Sequence, residues 1–193
     1  MRLLQIGALV VAVMAVAAAP ARADGFVTPF YGYNFGGDSS CKTATNCEDK
    51  RANFGVSFGT MGAVFGFEED LGFAKDFFGT IPNVDNSVFT AMSNLLIGVG
   101  KGPVQPYVLV GAGLVRVYTS LNPAQFNSEN NSLGYDLGAG VNGYFSRHVG
   151  VRGDVRFLRT VQDLPIVETL TGGIFANDKL NFWRASVGLA LRF

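Results

Sequence analysis

The sequence is short of charge. Charged residues make up 16% of its 193 positions, against roughly 25% in soluble domains. The 15 Lys and Arg are matched by 15 Asp and Glu, so no basic excess marks it as a nucleic-acid binder. Histidine occurs once, at His148, and a catalytic Ser-His or His-Asp arrangement has little to build on. Cysteine occurs twice, and a metal site of two thiolates needs further ligands. After residue 19 no stretch reaches the about 20 consecutive apolar residues of a membrane-crossing helix.

Glycine (25) and phenylalanine (17) are abundant. A glycine-rich, Phe-rich, charge-poor chain suits a sheet whose outer face does not meet water. Before that sheet stands a leader pattern: Arg2, an apolar run from Leu3 to Ala19, then Ala21-Arg22-Ala23. This is the layout of a secretory signal peptide. Residues 1–23 are therefore expected to be removed by cleavage between Ala23 and Asp24, leaving 24–193 as one domain. Loss of Arg2 and Arg22 leaves 13 positive and 15 negative groups. In an oxidising compartment Cys41 and Cys47, which flank KTATN, are expected to form a disulfide clip across one loop.

The rest of the chain alternates with period two, the signature of strands. Eight runs stand out: 26–35, 51–60, 63–73, 89–99, 106–118, 132–145, 149–158 and 180–193. Most approach the about 9–11 residues of a tilted membrane-spanning strand. Their connections alternate, with short ones at 61–62, 101–105 and 146–148 and long ones at 36–50, 74–88, 119–131 and 159–179. Short turns on one side and long loops on the other describe an outer-membrane barrel. The expected fold is all-β: an eight-stranded, antiparallel, up-and-down transmembrane β-barrel with both termini at the short-turn side.

The faces fit. In 149–158, Val149, Val151, Val155 and Phe157 oppose Arg152, Asp154 and Arg156. In 106–118, Arg116 opposes Tyr107, Leu109 and Val115. The polar faces hold many glycines and few lysines, unlike a water-exposed surface. Taken together, Glu68, Asp70, Asp136 and Asp154 are expected to face Arg116, Arg152, Arg156, Arg184 and Arg192 in the lumen, where burial requires pairing. Such a network either plugs the barrel or lines a narrow ion path gated by partner exchange. Glu69 breaks the alternation and is expected at the outer rim, the alternative being a bulge. Phe26, Tyr31, Tyr107, Tyr144, Phe145, Phe157, Phe182 and Trp183 are candidates for interfacial aromatic belts.

Gly138–Gly143 matches G-x-G-x-x-G. It lies inside an alternating run with no helix after it, so it reads as space inside a crowded lumen and not as a nucleotide site. The stretch Leu164–Phe175, LPIVETLTGGIF, is apolar within a long loop. It is either a surface binding site or an extension of the strands.

The leader, the eight runs, the segment GYFSRHVGVRGDVRFL (Gly143–Leu158) and the terminal aromatic resemble the small outer-membrane barrels of Gram-negative bacteria, the OmpA-transmembrane-domain and OmpX-like group. The resemblance implies export to the bacterial outer membrane and lipid as the surrounding partner. It implies that Val187, Leu189, Leu191 and Phe193 are the signal read by the barrel-assembly machinery. With the chain's one histidine in a predicted periplasmic turn, no enzymatic activity and no cofactor are expected. A monomer is expected, with a structural or surface-interaction role in membrane integrity or adhesion through the long loops. A small porin-like ion or solute channel is the alternative, and an outer-membrane enzyme a distant third.

Overall fold

The structure is a computed structural model that describes residues 24–39, 50–78, 84–98, 102–121, 126–161 and 179–193. The leader 1–23 with Ala21 and Ala23, both cysteines, and the stretch Leu164–Phe175 lie outside the described residues.

Eight strands form: β1 Asp24–Phe35, β2 Lys50–Met61, β3 Phe65–Lys75, β4 Val84–Gly98, β5 Val104–Leu121, β6 Phe126–Tyr144, β7 Val149–Thr160 and β8 Asn181–Arg192. A 3-10 turn, Gly37–Ser39, follows β1. Each strand pairs antiparallel with the next, and β8 closes on β1. Closure is completed outside the ladder proper, where Gly25 and Phe193 exchange backbone hydrogen bonds of 3.0 and 2.9 Å. No helix among the described residues is long and apolar enough to cross a membrane.

The stagger follows from the register. The path Val149, Leu191, Val27, Phe58, Glu69, Ser93, Ala112, Tyr135 steps once around the wall and re-enters β7 at Arg159, ten residues beyond its start. A barrel of eight strands is just wide enough for its side chains to fill the interior.

Period-two alternation decides what faces in. On β7, Gly150, Arg152, Asp154, Arg156, Leu158 and Thr160 are buried, while Val151 and Val155 are exposed on the outer wall. The inner face is thus polar at mid-height and the outer face apolar, the reverse of a soluble barrel.

Three expectations need correction. The expected loop at 119–131 is largely strand, with β5 and β6 paired out to Leu121↔Phe126, and the one expected at 74–88 begins and ends as strand, at 74–75 and 84–88. The residues Thr119–Ser120 and Asn127–Asn131 are Thr, Ser, Asn and Glu and carry no apolar alternation from which a strand could be read.

Glu69 is neither at the rim nor at a bulge. The β3 register is unbroken on both sides. Along the climbing path Glu69 stands four steps from Val149 at one rim and four from Arg159 at the other, so it faces outward at mid-wall.

The face assigned to Tyr107, Leu109 and Val115 is also reversed. All three are buried inside, while Arg116 is exposed outside. Both faces of β5 are apolar here, with Val108, Val110, Ala112 and Leu114 on the odd-numbered residues' opposite side, so alternation alone cannot orient it. Pairing orients it instead, by setting Gly111 between Asn94 of β4 and Asp136 of β6.

Candidate functional site: a charge layer inside the barrel

β7 supplies Arg152, Asp154 and Arg156 on one face, two residues apart. β3 brings Glu68 and Asp70, β6 brings Asp136 and β8 brings Arg184. All seven are buried, although isolated charges resist transfer from water unless paired.

Arg156 is the hub. Its Nη2 lies 3.0 Å from Glu68 Oε1 and its Nε 3.1 Å from Asp154 Oδ1. Its Nη1 lies 3.3 Å from Asp70 Oδ2 and 3.8 Å from Asp136 Oδ2. Arg152 pairs through Nη1 with Glu68 Oε2, and its Nε lies 3.1 Å from Asp154 Oδ2. Arg184 Nη2 donates to Asp70 Oδ1 at 2.6 Å.

Neutral groups complete the shell. Ser57 Oγ donates to Asp70 (2.8 Å) and Ser186 Oγ to Asp154 (2.9 Å). Asn94 Nδ2 donates to Glu68 Oε1 (3.1 Å). Tyr107 donates its hydroxyl proton to Asp154 (3.0 Å) while accepting from Arg152 Nε (2.6 Å). Two guanidiniums also lie over rings: Arg152 over Tyr107 at 4.6 Å and Arg184 over Phe30 at 4.9 Å, an attraction that grows on desolvation.

Apolar side chains lie above and below. Toward the loop end, Met92, Val115, Leu158 and Phe182 pack with Ala74, Phe77, Val88, Val117 and Leu180. Phe77 and Phe182 meet edge-on at 4.8 Å. Toward the turn end lie Phe26, Leu96, Tyr107 and Leu109. Below them a cavity of about 780 Å³ opens at the turn end, its lining including Asp24, Tyr107, Asn142, Tyr144 and Arg192.

The layer therefore unites Glu68, Asp70, Asp136, Arg152, Asp154, Arg156 and Arg184, but not the other two expected members. Arg116 is on the outer face. Arg192 is at the turn-end rim, where its Nε donates to Arg147 O at 3.0 Å and lies 3.7 Å from Asp24 Oδ2. Its guanidinium covers the Tyr144 ring at 4.4 Å. The inventory of the layer becomes four carboxylates against three guanidiniums.

Sequence reasoning missed Asn94, and it placed Phe26, Tyr107, Tyr144 and Phe182 in aromatic belts, when Phe26, Tyr107 and Phe182 are buried inside and Tyr144 lines the turn-end cavity under Arg192. Phe182 shares its even-numbered face with Arg184, so strict alternation would have found it. Asn94 sits in the run Thr90, Met92, Asn94, Leu96, all buried, where one amide among apolar residues was the available signal. Tyr31 and Trp183 are exposed on the outer wall and Phe145 in the turn after β6, and Phe157 packs on Trp183 at 5.2 Å. The glycines at 138 and 140 are room for side chains: a Cβ there would crowd Arg156 and Tyr107 respectively. His148 is exposed in the short turn before β7.

A family model, the outer membrane protein beta-barrel domain, matches residues 7–193. The chain belongs to that family. As an outer-membrane barrel it has solved structural counterparts of low sequence identity. Neisserial surface protein A aligns with a TM-score of 0.61 at 14% identity, over 88% of this chain and 95% of that one. Ail, the attachment invasion locus protein of Yersinia pestis, aligns with 0.53 at 12%, over 90% and 99%. The N-terminal β-barrel domain of Pseudomonas aeruginosa OprF aligns with 0.51 at 13%, over 90% and 98%. No curated protein matches the chain significantly. These likenesses establish the shape of this outer-membrane barrel; its charge layer is described by its own residues.

Proposed function

We propose that this barrel is a closed, monomeric scaffold that acts at the cell surface, in membrane integrity or adhesion, and not through conduction. The supporting observation is the Arg156 guanidinium, buried at the centre with four carboxylates around it and packed apolar side chains on either side. Ions would have to cross both apolar layers, and constrictions of that kind gate by excluding water.

The adhesion half of the reading draws on β5 and β6, at 18 and 19 residues the longest strands. They exceed the span a membrane needs and raise a paired platform at the loop end. Ail, of the same shape, has been crystallised with the heparin analogue sucrose octasulfate, which makes a sulfated polysaccharide the first surface ligand to test here. The alternative, a small channel, draws on Arg152 and Arg156 sharing Glu68 and Asp154: an exchange of partners would serve as a gate.

In this reading the termini and short turns are periplasmic and residues 1–23 are a cleaved leader. Val187, Leu189 and Leu191, exposed on the outer wall of β8, and the exposed Phe193 just after it, serve as the assembly signal. Cys41 and Cys47 form a clip in one surface segment.

Single-channel recording of the refolded mature barrel in a planar bilayer tests the main point. A folded, electrically silent barrel is expected, and Phe182→Ala, which thins the apolar layer, should raise the frequency of openings. Steady discrete openings of the unaltered protein, changed by Arg152→Ala, would make it a channel.

A further inference from the structure

Asp136 is the odd member of the charge layer. It is fully buried, yet among the described residues neither carboxylate oxygen accepts a hydrogen bond, and the nearest guanidinium nitrogen is Arg156 Nη1 at 3.8 Å. A second buried acceptor is in the same condition. Asn94 Nδ2 is committed to Glu68, which turns Asn94 Oδ1 away, and that oxygen also has no donor.

The two orphans face each other. Asn94, Gly111 and Asp136 are register partners on β4, β5 and β6. Gly111 has no side chain, and both Asn94 Oδ1 and Asp136 Oδ1 reach into the space its Cβ would occupy. Two lone-pair oxygens converging on one buried gap repel unless a hydrogen lies between them, since a buried acceptor without a donor forfeits its solvation.

We propose that this gap is a proton-binding site: Asp136 is held as the neutral carboxylic acid at neutral pH, and its hydroxyl donates to Asn94 Oδ1. The surrounding charges then balance. Glu68, Asp70 and Asp154 remain as carboxylates, matched by Arg152, Arg156 and Arg184, each of which already lies against at least one of those three. Among the described residues, the other titratable groups on the inner faces stand apart from the gap. Tyr107 of β5 is committed to Asp154 and Arg152. Tyr144 of β6 and Arg192 of β8 are at the turn-end rim, with Asp24 of β1 beside Arg192. Arg51 of β2 stands two register steps beyond Arg184. The inner face of β4 contributes only Asn94 and other uncharged side chains between Asn86 and Leu96. Removal of the proton would leave an unmatched charge in the interior, so the site also sets an alkaline limit to the barrel's stability.

The test is infrared spectroscopy of the refolded mature barrel in lipid, carrying isotope-labelled aspartate, across neutral and alkaline pH, with urea unfolding alongside. The expected result is a carboxylic-acid carbonyl band at neutral pH that shifts with the label, disappears at alkaline pH and is absent in Asp136→Asn. Asp136→Asn should unfold with nearly the wild-type equilibrium constant at neutral pH, because the amide copies the neutral acid and can donate to Asn94. Asp70→Asn, which strips Arg184 of its partner, should lose about a hundredfold or more. A neutral-pH spectrum without the labelled acid band overturns the proposal. A midpoint that rises with sodium or potassium in the wild type but not in Asp136→Asn also overturns it, and assigns the gap to a cation. The spectrum of the unaltered protein decides the question even if a variant fails to fold.

Discussion

Glu68, Glu69 and Asp70 are consecutive, yet they meet two different solvents. Glu68 and Asp70 point into the lumen, where three guanidiniums, a serine and an asparagine surround them. Glu69 points into the apolar outer wall at mid-height, and its hydrogen-bond donor there is Ser93 Oγ, at 2.9 and 2.7 Å from its two oxygens. Hydrocarbon supplies no donors, so the outward carboxylate keeps only what the neighbouring strand offers. The inner wall turns a costly group into a rigid, many-partnered core. The outer wall merely tolerates one.

Breaking the inner side should have the largest effect. Arg156→Ala leaves Glu68, Asp70 and Asp154 without their shared cation, and removal of one partner of a buried pair costs about 3–5 kcal/mol. Urea unfolding in lipid, followed by the fluorescence of Trp183, the only tryptophan, would read this. A loss below about 1 kcal/mol would mean that the layer does not hold the barrel together.

The outer side should respond in the opposite direction. Charged residues facing lipid near the midplane destabilise barrels, carboxylates less than the about 2–4 kcal/mol of Arg or Lys. Glu69→Leu should therefore raise stability by about 1 kcal/mol in the same assay, and Glu69→Leu with Ser93→Ala should keep that gain. A loss instead would show that this outward carboxylate has a partner in the membrane.

The smallest effect is expected at the rim, where water reaches both members of the Arg192–Asp24 pair. Exposed ion pairs contribute about 0–1 kcal/mol, and Arg192→Ala should fall in that range, with added salt narrowing the difference further.

Much of the wall was legible in the sequence, and the reason is physical. A strand exposed to lipid on one face and to a polar lumen on the other must alternate, so β7 and β8 could be read residue by residue. The β5–β6 extension was not legible, because its run of Thr, Ser, Asn and Glu carries no alternation and only backbone pairing across the two strands reveals it. Glu69 was misplaced because alternation was trusted to yield only at a rim or a bulge. A mid-wall carboxylate becomes tolerable through Ser93, 24 residues away, and that is a cross-strand fact.

The candidate site divides the same way. Arg152, Asp154 and Arg156 announce themselves as charges on alternate positions of one strand. That Arg184 belongs to Asp70, 114 positions earlier, follows only from closure of the barrel. Arg116 looks no different in sequence from Arg156, and only the register of β5 between β4 and β6 puts it outside.

By itself, then, the sequence determined the period, the number of strands and the polarity of the two faces, because each is imposed locally by the solvent a side chain must meet. The tertiary structure decided which face of β5 turns inward, which charges become partners, and that three guanidiniums stand among four acidic side chains. Those depend on stagger and closure, which place side chains from distant strands at one height in a lumen too narrow for water to keep them apart.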